Sequence, residues 1–225
     1  MVVEDSQHPV RALVVDYGGV LTTPIGPSFA SWLAADGIDP DAYSEMLRDW
    51  LGRDAPADSP VHRLERGELR VAEFNRLLAA RLTTVDGRTI VPEGLLDRAF
   101  ATVRPDADML DLLRAARAAG LRTALLSNSW GNSYPMDVLT PLFDVLVISG
   151  EVGMRKPDER IYRHTADRLG LPPRQCLFLD DAQPNVDGAI RSGMRALLHT
   201  DSAATIPAVA GLVPELAEEL REGAS

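Results

Sequence analysis

"PDADMLDLLRAARAAGLRTALLS", Pro105 to Ser127, holds a complete helix–glycine–strand unit. From Asp106 to Ala119 its leucines and alanines recur at helical spacing, and the run stops at Gly120, a residue suited to the left-handed turn that closes a helix. The next segment, "LRTALLS", is a short apolar strand ending in a hydroxyl. The same rhythm continues downstream. A helical stretch around Met136 to Leu142 leads to the strand "VLVIS". The helix Asp158 to Leu169 sets Ile161, Tyr162, Ala166 and Leu169 on one side and stops at Gly170. Strand "CLFLD", helix Pro184 to Ser192 and strand "MRALLH" come next, and Ile206 to Leu220 reads as a last helix packed on the sheet. Short apolar strands alternating with helices predict a parallel sheet with helices on both faces.

Upstream of this unit the pattern differs. "RALVVD", Arg11 to Asp16, reads as a buried strand that breaks off in "YGGV". From about Ser28 to Val103 the periodicity is helical. Tyr43, Met46, Leu47, Trp50 and Leu51 form one stripe, Val71, Phe74, Leu77, Leu78 and Leu82 a second, and Phe29, Trp32 and Leu33 a shorter third. The aromatics in these stripes read as the core of a small bundle, and "GRDAPADSP" between them reads as a loop. The expected fold is therefore α/β: a Rossmann-like three-layer core with a parallel sheet, residues 9–24 and 105–225, and a helical bundle, residues 25–104, inserted after the first strand.

The composition narrows the partners. The 225 residues suit one domain with a substantial insertion, and a formal net charge of -10 argues against nucleic acid or an anionic membrane. The single Cys176 has no intramolecular disulfide partner and reads as a small buried hydrophobe, which suits a reducing compartment. "MVVEDSQHPV" has neither the basic start nor the apolar stretch of a signal peptide. No apolar run approaches the roughly 18 residues of a membrane helix. A cytoplasmic monomer or homodimer is expected. The four histidines lack zinc-site spacing, and "GGV" is too short for a dinucleotide loop.

Ligands of open parallel sheets bind beyond the carboxyl ends of the strands. Those ends carry Asp16, Ser127 and Asp180 followed by Asp181, and the loop after "VLVIS" carries Lys156. Crowded carboxylates cannot all stay ionised without compensating cations. One ammonium does not balance three of them, so a hard divalent ion such as Mg²⁺ is expected. With a phosphate in such a crevice, one Asp would attack phosphorus to give an aspartyl-phosphate. Metal and Lys156 would neutralise the equatorial oxygens, and Ser127 would donate a hydrogen bond. Lys156 is the only lysine among 23 basic residues. Drift in an arginine-rich chain accounts for that, but so does a narrow place that takes a compact ammonium and not a planar fork. The crowded strand ends favour the second account.

"VVDYGGVLT", "LLSNS", "GMRKPDERIY" and "FLDDAQPN" resemble the four ordered motifs of the haloacid dehalogenase-like hydrolase superfamily, and the resemblance runs from about Leu13 to Leu198. "GGVLTTP", "SNSW", "ERGEL" and "DDAQPN" are similar to the branch that holds the N-terminal phosphatase domain of soluble epoxide hydrolase and bacterial sugar phosphatases. The resemblance implies Asp16 as nucleophile, Ser127 as phosphate-binding hydroxyl and Lys156 as electrostatic anchor. It implies Asp16, Asp181 and the backbone carbonyl of Gly18 as metal ligands, with Asp180 a further ligand or a partner of one. Asn128 would offer its backbone N–H to the phosphate. Asn185 would orient the metal-binding loop or serve as an ordinary helix cap.

One position departs from the pattern. Most phosphatases of the family carry a second Asp two residues after the nucleophile, where it protonates the leaving group, and here that residue is Gly18. Three readings are open. The first is a Mg²⁺-dependent phosphatase of a small phosphorylated metabolite, with water or Asp180 moving protons, or with good leaving groups such as sugar 1-phosphates. The second is a metal-independent 2-haloacid dehalogenase, and the third a non-catalytic descendant that binds a phosphorylated ligand or a protein. The paired acids Asp180 and Asp181 favour the first. In "HRLERGELR", Glu65, Arg66 and Gly67 read either as lining of the entrance or, the favoured reading, as a solvated helix–loop junction.

Overall fold

A computed structural model describes residues 9–131 and 134–222. The amino-terminal stretch read for a targeting signal lies almost wholly outside them. Strand β1 (Ala12–Val15) is followed by five helices, α1 (Ile25–Asp36), α2 (Pro40–Leu51), α3 (Pro60–Glu65), α4 (Val71–Arg81) and α5 (Leu95–Ala99). The alternating half then runs α6 (Ala107–Ala118), β2 (Arg122–Ser127), α7 (Met136–Leu139), β3 (Val145–Ile148), α8 (Ser149–Val152), α9 (Glu159–Leu169), β4 (Cys176–Asp180), α10 (Gln183–Arg191), β5 (Arg195–Leu198), α11 (Ser202–Leu212) and α12 (Pro214–Glu222).

The five strands form one parallel sheet in the order β3-β2-β1-β4-β5. Strand β1 lies at its centre with all four residues buried, because both faces are covered by helices. Alternation splits its side chains. Leu13 and Val15 join Met109 and Leu113 of α6 and Leu216 of α12 on one face. Ala12 and Val14 join Ile161, Tyr162 and Leu169 of α9 on the other. The helices stop and start where side chains satisfy their ends. Asp106 accepts from the Met109 N–H and Asp158 from the Arg160 N–H, while Gly170 closes α9 at φ 67°.

Helices α1 to α5 have an apolar cluster of their own, built on Trp32, Met46, Leu64, Phe74, Leu78 and Leu95. Asp39 and Ser59 cap α2 and α3, each with a proline at the first helical position. The chain leaves the core and re-enters it side by side. Thr22 and Pro105 form an antiparallel bridge, the Thr23 N–H donates to the Arg104 carbonyl at 2.7 Å and the Asp106 N–H to that of Leu21 at 2.9 Å.

Two sequence expectations are corrected. The final helix is two: α11 begins at Ser202, where Asp201 accepts from the Ala204 N–H, and the chain breaks at Val213 before Pro214 opens α12. A proline has no N–H to continue the ladder. Leu77 belongs to the second stripe by spacing but is 38% exposed, on the outer edge of α4. Among the described residues no helix is long and apolar enough to cross a membrane.

Candidate active site

Because β1, β2 and β4 are neighbours, their carboxyl ends converge. Asp16 follows β1, Ser127 ends β2 and Asp180 ends β4. Lys156, on the loop before α9, reaches into the same point. Its Nζ lies 2.8 Å from Asp16 Oδ1 and 2.6 Å from Asp180 Oδ2, and its side chain is 1% exposed. The ammonium also sits 5.4 Å from the centroid of the Phe178 ring. Burial works against the Lys156 charge, but Asp16 and Asp180 outweigh it and hold the ammonium above its ordinary pKa. This is the narrow place inferred from the lone lysine. A guanidinium fork carries five N–H donors, more than two carboxylate oxygens and an aromatic face can accept.

The loop geometry is fixed by side chains that bind backbone. Asn128 grips Lys156 twice: its Oδ1 accepts from the Lys156 N–H at 2.8 Å, and its Nδ2 donates to the Lys156 carbonyl at 3.1 Å. Asp180 Oδ1 accepts from the Ala182 N–H and from Asn185 Nδ2, both at 2.9 Å. Asn185 is thus not the cap of α10, whose cap position is Ala182. Both Asp180 oxygens are committed, and the residue is fully buried. Ser127 Oγ accepts from the Tyr134 hydroxyl at 3.0 Å. Burial, chiefly, lifts that phenol to about 12.

Oxygens of Asp16, Asp180 and Asp181 lie within 4.8 Å of one another. Burial first, and then Asp180 and Asp181, push Asp16 up to about 7 against the pull of Lys156. Asp181 is raised by burial and by Asp180. A cluster of hard oxygens with more negative charge than one lysine balances fits a hard divalent cation. Gly19 makes the close approach possible. It has φ 77°, and a Cβ there would stand 2.3 Å from Asp181 Oδ2. Gly18 is different: its φ is not positive, and a Cβ would meet only the Ile25 side chain, at 3.5 Å. No backbone constraint demands a glycine at that position.

Above these groups opens a cavity of about 770 Å³ between the strand ends and the helical module. Asp16, Gly18, Ser127, Asn128 and Lys156 lie at its floor. Glu65 lies at its edge, and the solvated-junction reading of this residue is overturned. It is 4% exposed. Its Oε1 accepts from Trp130 Nε1 at 3.0 Å, its Oε2 pairs with Arg155, and its carbonyl accepts from the Ser149 hydroxyl. Two residues on, Gly67 has φ 73°, and a Cβ would lie 2.2 Å from the Gly150 carbonyl. The "ERGEL" segment is a clasp between module and core. Phe29 and Tyr43, read from their stripes as core, also turn out to line the cavity.

The family model for haloacid dehalogenase-like hydrolases matches residues 10–193. The chain belongs to this family. It is a hydrolase of the haloacid dehalogenase-like type. It is 38% identical over 112 residues to phosphatase MT3486 of Mycobacterium tuberculosis, covering 48% of this chain and 51% of that one. It is 27% identical over 208 residues to bifunctional epoxide hydrolase 2 of Sus scrofa, covering 86% of this chain and 37% of the relative. The chain thus spans about a third to a half of the length of these curated relatives. A HAD family enzyme from Bacteroides thetaiotaomicron, solved with magnesium and inorganic phosphate, superposes with a TM-score of 0.63 at 20% identity, over 85% of this chain and 94% of that one. At that identity the likeness is one of fold.

Proposed function

We propose that this hydrolase is a Mg²⁺-dependent phosphatase that moves the phosphoryl group of a small phosphorylated metabolite to Asp16 and then to water. The observation that carries the reading is the buried chain Asp16–Lys156–Asp180 at the cavity floor, with Asp181 in reach of the same point. Lys156 holds Asp16 Oδ1, which leaves Oδ2 to attack phosphorus. The bond from phosphorus to the ester oxygen breaks, and the alcohol leaves with a proton drawn from water. A water then attacks the acyl phosphate, the bond between phosphorus and Asp16 breaks, and inorganic phosphate departs with the carboxylate restored.

Ser127 and the Asn128 N–H face the phosphoryl oxygens, and the Lys156 ammonium offsets their charge. Asp180 is a positioning residue, since both its oxygens are engaged, which leaves water as the proton carrier. Asp16, Asp181 and the Gly18 carbonyl would hold Mg²⁺, with Asp180 orienting the loop. Bound there, the ion would supply further positive charge against the developing phosphoryl charge. The phosphatase named among the relatives supports this reading. A dehalogenase needs no metal, and the three clustered carboxylates argue against that alternative. We read residues 25–104 as the cap over this site. The buried free thiol of Cys176 accords with a cytoplasmic setting.

Phenyl phosphate is expected to release phosphate with Mg²⁺ present, to stop doing so in chelator, and to recover when Mg²⁺ is restored. Asp16→Asn is expected to remain at the rate of the buffer alone. Undiminished hydrolysis in chelator would overturn the metal assignment. Metal-free halide release from 2-chloropropionate would transfer the chain to the dehalogenase reading.

A further inference from the structure

We propose that the alcohol part of the substrate is an apolar, hydrocarbon-rich body, and that the helical module selects for it; this rests on the phosphatase reading of the floor. The roof of the cavity is largely carbon. Phe29, Leu33, Leu47 and Val71 line it while only half-buried against the module's own cluster. Phe100 and Trp130 extend the same surface, each in edge contact with the Phe29 ring, with centroids 5.2 and 6.3 Å away. These side chains present apolar surface to the same cavity that Asp16 lines. A cavity of this size encloses a drug-sized organic body, well beyond a phosphate alone.

The polar side chains around the cavity are mostly spent on one another. Trp130 Nε1 is given to Glu65, and both Glu65 oxygens are taken by Trp130 and Arg155. The Asn128 amide is committed to the Lys156 backbone and that of Asn185 to Asp180. Tyr134 donates to Ser127, and Thr22 accepts from the Gly19 N–H and donates to the Thr23 carbonyl. Beyond these, Tyr17, Tyr43 and Asp97 are the lining residues that add further hydrogen-bonding side chains. A polyhydroxylated body such as a sugar would bury hydroxyls with few partners, and an unpartnered hydroxyl is costly to bury. A hydrocarbon body loses nothing there and removes the exposed carbon of the roof from water. The floor selects the phosphate, and the roof selects what the phosphate is attached to.

The test compares n-octyl phosphate with ribose 5-phosphate on the full chain with Mg²⁺, by phosphate release. Octyl phosphate is expected to show a kcat/KM larger by roughly a hundredfold, mostly through KM. Equal or better turnover of ribose 5-phosphate overturns the inference and leaves the phosphatase reading standing. If neither ester is hydrolysed, the phosphatase reading is decided by phenyl phosphate and the selectivity by binding. Calorimetry on the same two compounds should then still give the tighter Kd to octyl phosphate, and equal or weaker binding of it overturns the inference as well.

Discussion

Along the floor of the cavity the polar atoms are tied to partners at fixed distances, whereas the roof offers mostly half-buried carbon. Lys156 is held by two carboxylates, Asn128 and an aromatic ring within one buried knot. Phe29, Leu33 and Leu47 only lean on the module's own cluster and leave part of their surface uncovered. The difference separates two tasks. Charge stabilisation needs groups held rigidly before the substrate arrives. Recognition of an apolar body needs area and shape, which tolerate adjustment.

If this division is right, the same size of change should do far more harm below than above. The largest effect is expected from Lys156→Met, which leaves Asp16 and Asp180 buried without their cation. Phosphate release from phenyl phosphate should fall to the buffer rate. Stability in urea unfolding should drop by about 3–5 kcal/mol. Retained activity in this variant would break the comparison at its root.

Gly18→Asp probes the border between the two regions. The backbone there is not left-handed and a Cβ has room beside Ile25. The variant is therefore expected to fold and to place a carboxylic acid near the leaving oxygen. Turnover of octyl phosphate, a poor leaving group, should rise by about a hundredfold, and that of phenyl phosphate by less. An equal gain for both would mean that proton delivery is not what the wild type lacks. The smallest effect is expected on the roof. Leu47→Asn should raise KM for octyl phosphate about tenfold with kcat and stability little changed. A matching loss of kcat would show that the roof also positions the phosphoryl group.

Much of the floor is legible in the sequence, and the reason is geometric. A parallel sheet sends every strand in one direction, so the residues ending "RALVVD", "LRTALLS" and "CLFLD" share one edge once the strands are recognised. Lys156 announces itself as the only lysine. Glu65 does not. Its partners Trp130 and Arg155 lie 65 and 90 residues away, and a glutamate at a helix end in sequence has every appearance of a solvated one. The signal that was present was Gly67 two residues on, a glycine whose close approach to Gly150 requires the absence of a Cβ.

The stripes mark the other boundary of what periodicity can say. Spacing put Phe29, Tyr43 and Leu47 on inward sides of their helices, and they are inward. Whether an inward side chain meets another side chain or an open chamber depends on how five helices settle against one another and against the strand ends, which no single helix encodes. From its letters alone this chain determined its sheet, its inserted helices and the acids and lysine of its floor, because local periodicity and strand direction dictate them. Tertiary packing alone decided the clasp at Glu65, the commitment of both Asp180 oxygens and the apolar chamber, because each arises from contacts between segments far apart in the chain.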